Sequence, residues 1–234
     1  MARERHTDRT FEEELRKLRD SLLKMGGMVE TMIARSIEAL MDSDLEKARE
    51  TIEFDHSVNR MEIDIDDLCM RMLALRQPAA SDLRFITMSL KFVTDLERIG
   101  DLAVNICERC LDLSSNSQLK PYIDIPKMAE VVQEMIRDSL DAFIESDSEK
   151  AEDVVRRDDV VDNYHDQIFR EIITYMLQDP STIQRGIHLF SVAKYLERMG
   201  DHAENLAELV IFMIKGKDVR HMGKLEDESQ GKGT

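Results

Sequence analysis

The sequence predicts an all-α protein built as a tandem repeat of two three-helix bundles, six long helices in all. Three observations carry this. First, Leu96-Glu97-Arg98-Ile99-Gly100-Asp101 returns one hundred residues later as Leu196-Glu197-Arg198-Met199-Gly200-Asp201, and Ala103/Ala203, Asn105/Asn205 and Glu108/Glu208 keep the same offset. A match carried over four helical turns is an internal repeat. Second, the chain is rich in Met, Leu, Glu, Arg and Asp, with only 9 Gly and 4 Pro in 234 residues, which favours helices, and no stretch alternates with period two. Third, Arg76-Gln77-Pro78 and Gln178-Asp179-Pro180 interrupt the pattern at matching places, because proline disfavours helical geometry in the residue before it.

In order, residues 1–8 read as a polar arm. Phe11, Leu15, Leu18, Leu22, Met25, Met28, Met32, Ile37 and Leu40 recur at helical spacing, with Gly26-Gly27 inside as a kink or a tight helix contact at a cost of about 1 kcal/mol per glycine. Asp42-Ser43-Asp44 supplies capping chemistry for a second helix ending at Leu75. Ser81-Asp82 restarts a third, Leu83 to about Leu113. Ser114-Ser115-Asn116-Ser117 is the clearest break. Pro121 and Pro126 flank entry to a fourth helix, about Lys127 to Glu145. Ser146-Asp147 opens a fifth, about Ser148 to Leu177, and Ser181 restarts a sixth ending near Lys215. The expected organisation is therefore a first bundle over 1–114, a second over 115–216 and a polar tail over 217–234.

The net charge is −16. Nonspecific nucleic-acid binding, which needs basic residues to displace counterions from phosphates, is disfavoured; cations and basic protein surfaces suit the sign. No apolar run approaches the ~18 residues of a membrane-spanning helix, and an anionic membrane surface would repel the chain overall, although a local basic patch could still dock. The start of the chain, Met1-Ala2-Arg3-Glu4-Arg5-His6, has no hydrophobic leader. Cys69, Cys107 and Cys110 are an odd number in helical contexts, read as buried or half-buried free thiols in a reducing cytoplasm. The 15 methionines on exposed helices favour self-association without choosing between a dimer and a larger assembly; the homodimer is the expected form.

On a helical wheel, Phe92, Leu96, Ile99, Ala103, Ile106 and Cys110 form one apolar stripe, matched by Val192, Leu196, Met199, Ala203, Leu206 and Val210. Glu97, Asp101, Asn105 and Glu108, and likewise Glu197, Asp201, Asn205 and Glu208, line up on roughly the opposite side, an outward face. Carboxylates at i and i+4 repel by a few tenths of a kcal/mol, and the neighbouring glycine adds a propensity cost. A divalent or trivalent cation offsets the repulsion, and oxygen ligands suit it; glycine lets an ion or a packed helix approach the backbone. A solvated face in which Arg98 and Arg198 pair with the carboxylates is the plain alternative. The second helices offer further donors: Glu62, Asp64, Asp66 and Asp67 in one half, Asp158, Asp159, Asp162 and Asp166 in the other. Glu53-x-x-His56 and Asp162-x-x-His165 have the spacing of di-iron bundles, but at non-equivalent positions. His202 is a one-sided candidate, since Leu102 takes its place in the first half. Gly-x-Gly-x-x-Gly, Walker and Gly-x-Ser-x-Gly patterns are absent.

The doubled Leu-Glu-Arg-x-Gly-Asp, Met25-Gly26-Gly27, Leu73-Ala74-Leu75-Arg76-Gln77-Pro78, Asp95-Leu96-Glu97-Arg98 and the run from Tyr195 to Glu208 together resemble the PhoU family. The resemblance implies two three-helix bundles in tandem. It also implies Glu/Asp-x-x-x-Asp motifs that bind multinuclear metal clusters in some members. Here they fall on Glu97 with Asp101 and Glu197 with Asp201, with Asn105 and Asn205 from the same face. Asp162 is acidic where the family is, while Asn59 stands at the corresponding place in the first half. Iron, zinc, manganese or magnesium are the expected metals. The resemblance further implies a cytoplasmic, non-enzymatic regulator of phosphate uptake. Such a regulator acts with the ATPase subunit of a phosphate transporter and a phosphate sensor histidine kinase to keep the starvation response off, and meets the membrane only indirectly, through these partners. The alternative of a different class is a carboxylate-bridged metalloenzyme, a di-iron oxidase or phosphatase-like hydrolase.

Overall fold

The computed structural model describes residues 2–114, 119 and 122–215, with side chains from residue 9 onward. Within them run α1 (Ala2–Asp42), α2 (Leu45–Leu75), α3 (Ala80–Leu113), α4 (Asp124–Glu145), α5 (Ser148–Gln178) and α6 (Ile183–Lys215), and among the described residues there is no strand. Residues 115–117 of the expected break, Pro121 and the expected tail over 217–234 lie outside the described residues.

Element boundaries differ from expectation where helix ends follow rules other than apolar periodicity. Helix α1 begins at Ala2 rather than near Phe11; its first turn, Ala2-Arg3-Glu4-Arg5, is made of strong helix formers. Pro126 lies inside the first turn of α4 instead of before it, where a missing N–H breaks no helical bond. A 3-10 turn, Pro180–Thr182, precedes α6, held by Asp179, whose carboxylate accepts from Ser181 N at 2.9 Å and Ser181 Oγ at 2.8 Å. The two hairpin turns repeat one design. Ser43 and Ser146 take left-handed backbone, φ 54 and 57. The next residue then caps the following helix: Asp44 Oδ1 accepts from Lys47 N at 3.0 Å, and Asp147 Oδ1 from Glu149 N and Lys150 N at 2.9 and 3.1 Å.

Helices α1–α3 pack as one bundle and α4–α6 as the other, and the bundles join along α3 with α6 and α1 with α4. Asp95 meets His202 while Asp112 meets His188, so α3 and α6 run antiparallel, related by a pseudo-twofold axis between them. Every residue of both apolar stripes is buried. The buried surface of α3 is wider than the stripe, adding Val93, Leu102 and Cys107, because this helix faces α6 as well as its own bundle. One hydrophobic core runs through both halves. Phe143 of α4 stacks on Phe85 and Phe92 of α3 at 5.0 and 4.5 Å, and Ser139 Oγ donates to the Ala203 carbonyl at 3.0 Å. The cysteines are free and buried, and burial pushes the Cys69 and Cys107 thiols up to about 12.

The glycine pair in α1 makes a tight contact and no break. A Cβ on Gly26 would lie 2.3 Å from Leu140 Cδ2 of α4, whereas one on Gly27 would meet nothing within 4 Å. Gly27→Ala is therefore expected to stabilise the protein by about 0.5–1 kcal/mol through helix propensity. Gly26→Leu should destabilise it by about 1–3 kcal/mol through overpacking between the bundles. Urea denaturation of the two variants checks the opposite signs.

Candidate cation-binding grooves

The repeated glycines place the second helix of each half against the third. A Cβ on Gly100 would sit 3.6 Å from both Asp55 Oδ1 and Val58 Cγ1; on Gly200 it would sit 3.1 Å from Val161 Cγ1 and 3.3 Å from Asp158 Oδ1. Of the two roles open to glycine, the packed helix is the one seen. Val58 and Val161 occupy equivalent places, which aligns Asp55 with Asp158 and Asn59 with Asp162.

This packing corrects the outward face read from the wheel for the glutamates, while Asp101, 43% exposed, and Asp201 stay open to solvent. The Glu97 and Glu197 side chains are only 18% and 14% exposed, because α2 and α5 lean over them. The acidic residues line two grooves, α2/α3 and α5/α6. A wheel of a single helix shows the direction away from the core but not the neighbour that covers it.

In the first groove, Asp55 and Glu62 of α2 face Glu97 and Asp101 of α3, with Asp66 beside Glu62. Burial, then the Asp101 charge, raises Asp55 above the usual carboxylate range. Glu97 rises through burial, then Asp101 and Glu62; Glu62 rises through burial, then Asp66. Asn59 Nδ2 donates to Asp55 Oδ2 at 2.8 Å, so the amide standing where an acid was expected stabilises its neighbour. Arg98 approaches Glu97 and Asp101 at 3.7 Å each, so the expected ion pairing is present here, at loose distances. Asp64 pairs with Arg60 at 3.3 Å on the surface, and Asp67 is exposed; neither joins the groove.

The second groove is more acidic at its centre. Asp158 is pushed up to about 7 by burial, then by Glu204, Asp162, Asp201 and Glu197. Burial, then Glu197, raises Asp201; burial, then Glu208 and Asp201, raises Glu204. Lys194 Nζ donates to Glu197 Oε1 at 2.5 Å. Asp166 turns away, 63% exposed beside Arg170.

Three groups were missed or unranked in the sequence. Asp55 and Glu204 fall outside the i, i+4, i+8 line, and Asp158 stood among four equal acids. The signal that finds Asp55 and Asp158 is their spacing of three residues before Val58 and Val161, once those valines are set against the glycines. Asn205 lies in another groove, between α3 and α6, with Leu90, Lys91, Thr94, Asp95 and Leu209. Asn105 is half-buried at the equivalent place. His202 Nδ1 donates to Asp95 Oδ1 at 2.8 Å across the bundles, a structural use of the residue. Glu53 and His56 stand 78–79% exposed, 3.9 Å apart, on the surface and not in a bundle interior, and His165 packs on Phe190 at 5.6 Å.

The donor chemistry suits a hard cation: Asp55 Oδ1, Asn59 Oδ1, Asp66 Oδ1 and Glu197 Oε2 are buried without a hydrogen-bond partner, and such orphans are costly. The arrangement is not preassembled, since among the described residues no three of His, Cys, Asp or Glu are gathered closely enough to hold one ion. Side-chain rotation would have to complete any coordination shell.

Fold and grooves together define a class: a tandem helical-bundle protein with paired acidic grooves and a shared core. The family model for the PhoU domain matches twice, at residues 22–110 and 125–210. The chain is 41% identical to the phosphate-specific transport system accessory protein PhoU homolog of Pseudomonas putida, covering 98% of this chain and 90% of that one. The crystal structure of PhoU from Pseudomonas aeruginosa superposes with a TM-score of 0.84 at 41% identity, covering 88% of this chain and 100% of that one. That of the phosphate transport system regulatory protein PhoU from Streptococcus pneumoniae gives 0.82 at 31% identity, covering 89% and 99%. The chain belongs to the PhoU family. Among the described residues no helix is long and apolar enough to cross a membrane.

Proposed function

We propose that this chain is an accessory and regulatory protein of a phosphate transport system. It works in the cytoplasm as an adaptor between the transporter's ATPase subunit and a phosphate sensor histidine kinase, holding the starvation response off when phosphate is plentiful. The observation that carries this is the double PhoU-domain match together with relatives named as accessory proteins of phosphate-specific transport over nearly the whole chain. The grooves support an adaptor over an enzyme, because their carboxylates and amides supply cation ligands and surface charge and not an activated nucleophile beside a base. Metal ions, of iron, zinc, manganese or magnesium and in multinuclear clusters, would be held by Glu97, Asp101, Asp55 and Glu62 in one groove. Glu197, Asp201, Asp158 and Asp162 would hold them in the other. Bound there, they would neutralise charge and pin α2 to α3 and α5 to α6; this chain's residues supply the oxygens and the packed glycine backbone beneath them. Self-association as a homodimer belongs to the same reading.

Deleting the gene is expected to derepress phosphate-starvation functions in phosphate-rich medium, and the tagged protein should co-purify with the ATPase subunit and the kinase. An unchanged starvation response with no co-purification at either high or low phosphate would sink the adaptor. Oxygen consumption or phosphate-ester hydrolysis by the purified protein that is lost in Glu97→Gln/Asp101→Asn would establish the metalloenzyme instead.

A further inference from the structure

The two acidic grooves share a frame and differ in their donors. With Val58 set against Gly100 and Val161 against Gly200, Asp55 corresponds to Asp158, Asn59 to Asp162 and Glu62 to His165. The last pair exchanges an oxygen donor for a nitrogen donor. Glu62 sits in the first groove: after burial and Asp101, its charge raises Glu97. His165 holds the equivalent place on α5, one turn after Asp162 on the same side of that helix. Val161 meets Gly200 and the Phe169 ring lies 5.0 Å from that of Phe190, so His165 falls between these two levels, where α6 carries Glu197. Packing accounts for the imidazole ring, which lies 5.6 Å from the Phe190 ring, but not for its nitrogens. His165 Nε2 is buried without a hydrogen-bond partner, and so is Glu197 Oε2 in the same groove, although Lys194 holds the other oxygen of that carboxylate. Such atoms carry their desolvation cost uncompensated. His165 Nδ1 lies 3.8 Å from Asp166 Oδ1. One unclaimed nitrogen, with a carboxylate near the other, is the arrangement of a metal-binding histidine, whose second N–H is directed at an acceptor.

We propose that His165 is a metal ligand of the α5/α6 groove, adding an imidazole nitrogen to the oxygens of Asp162 and Glu197, so that this groove selects a borderline transition-metal ion such as zinc while the α2/α3 groove takes a hard ion such as magnesium. This rests on the cation-binding reading of the grooves and adds what distinguishes them. Imidazole suits zinc and other borderline ions, whereas carboxylate, carbonyl and water suit magnesium. In the first groove Asp55, Asn59, Glu62, Glu97 and Asp101 offer oxygen alone, since Asn59 Nδ2 donates to Asp55 Oδ2. The histidine of the first bundle's second helix, His56, stands 79% exposed on the surface. The repeat therefore supplies two copies of one acidic frame, and position 62 or 165 sets the class of ion that each prefers.

The test uses the full chain, with zinc and magnesium as the probes and the α2/α3 groove silenced by Glu97→Gln/Asp101→Asn. His165→Phe keeps an aromatic ring against Phe190 and removes both nitrogens; His165→Gln gives the same comparison if the phenylalanine does not fold, which thermal denaturation reads. Isothermal titration is expected to show zinc affinity falling at least about tenfold on either substitution, with magnesium affinity changing less than about twofold. In the cobalt(II)-loaded protein, a paramagnetically shifted imidazole N–H resonance should be present and should vanish in His165→Phe. Conversely, with the second groove silenced by Glu197→Gln/Asp201→Asn, Glu62→His should raise the zinc affinity of the first groove at least about tenfold. Unchanged zinc affinity in His165→Phe, with the shifted resonance retained, would assign the residue to packing on Phe190 and overturn the proposal. Equal losses of zinc and magnesium would reduce its role to the shape of the groove and overturn it as well. The cation-binding reading fails separately: a wild type that binds neither ion loses both the grooves and the ligand, whereas one that binds both ions and is unaffected by His165→Phe keeps the grooves and loses only the ligand.

Discussion

Asp158→Asn is expected to stabilise the metal-free protein at pH 8 by about 1–2 kcal/mol and to lower its affinity for a divalent cation by at least about tenfold. The sign follows from linkage. Asp158 titrates near its ordinary value when unfolded but is pushed up to about 7 when folded, by burial first and then by Glu204, Asp162, Asp201 and Glu197. A folded-state value above the unfolded one means that the native state binds the extra proton. The stabilisation is whole below about pH 4 and is lost as pH rises towards 7. Above 7 the native protein holds a charge it disfavours. The full interval would correspond to about 4 kcal/mol, but the group is half open to solvent and screening reduces this. Asparagine cannot ionise, so the variant should lose this pH dependence. Asp55, Glu62, Asp66, Glu97, Asp201 and Glu204 are raised in the same direction, so the grooves together favour the fold at pH 5 over pH 8. Urea denaturation at both pH values, with and without manganese, reads all of this. Manganese should restore stability to the wild type at pH 8 through preferential binding to the native state. A variant no more stable than wild type at pH 8 would show that the carboxylates are relaxed apart in solution.

Phe143→Ala should cost about 3–5 kcal/mol, the range for a fully buried aromatic whose removal leaves a cavity. Phe143 belongs to α4, yet its ring stacks on Phe85 and Phe92 of α3, so the cost falls on the join between the bundles. Because one core spans both halves, calorimetry of the wild type is expected to give one cooperative transition, and the variant should unfold earlier or separate into two. Two transitions in the wild type itself would mean that the bundles are independent domains joined by a weak interface.

Much of this protein was legible in its sequence because the signals are local. Helical periodicity needs only neighbours a turn apart; Pro78 and Pro180 act on the residue before them; Asp44 and Asp147 cap helices that begin at the next residue. The repeat of Leu96–Asp101 at Leu196–Asp201 made the second half readable from the first. The limits are equally physical. Whether Gly100 and Gly200 admit an ion or a helix depends on what lies opposite, and Val58 and Val161 are about forty residues away in sequence. Asp55 and Glu204 became site residues only when α2 and α5 were laid across the third helices. His202 changed from candidate ligand to structural link because Asp95, 107 residues earlier, lies across the antiparallel contact. The sequence by itself determined two copies of an acidic three-helix unit, each with its apolar stripe and repeated glycine. What lay beyond it is that the glutamates are half-covered in grooves and that the two cores merge, since each depends on side chains from separate helices meeting in space.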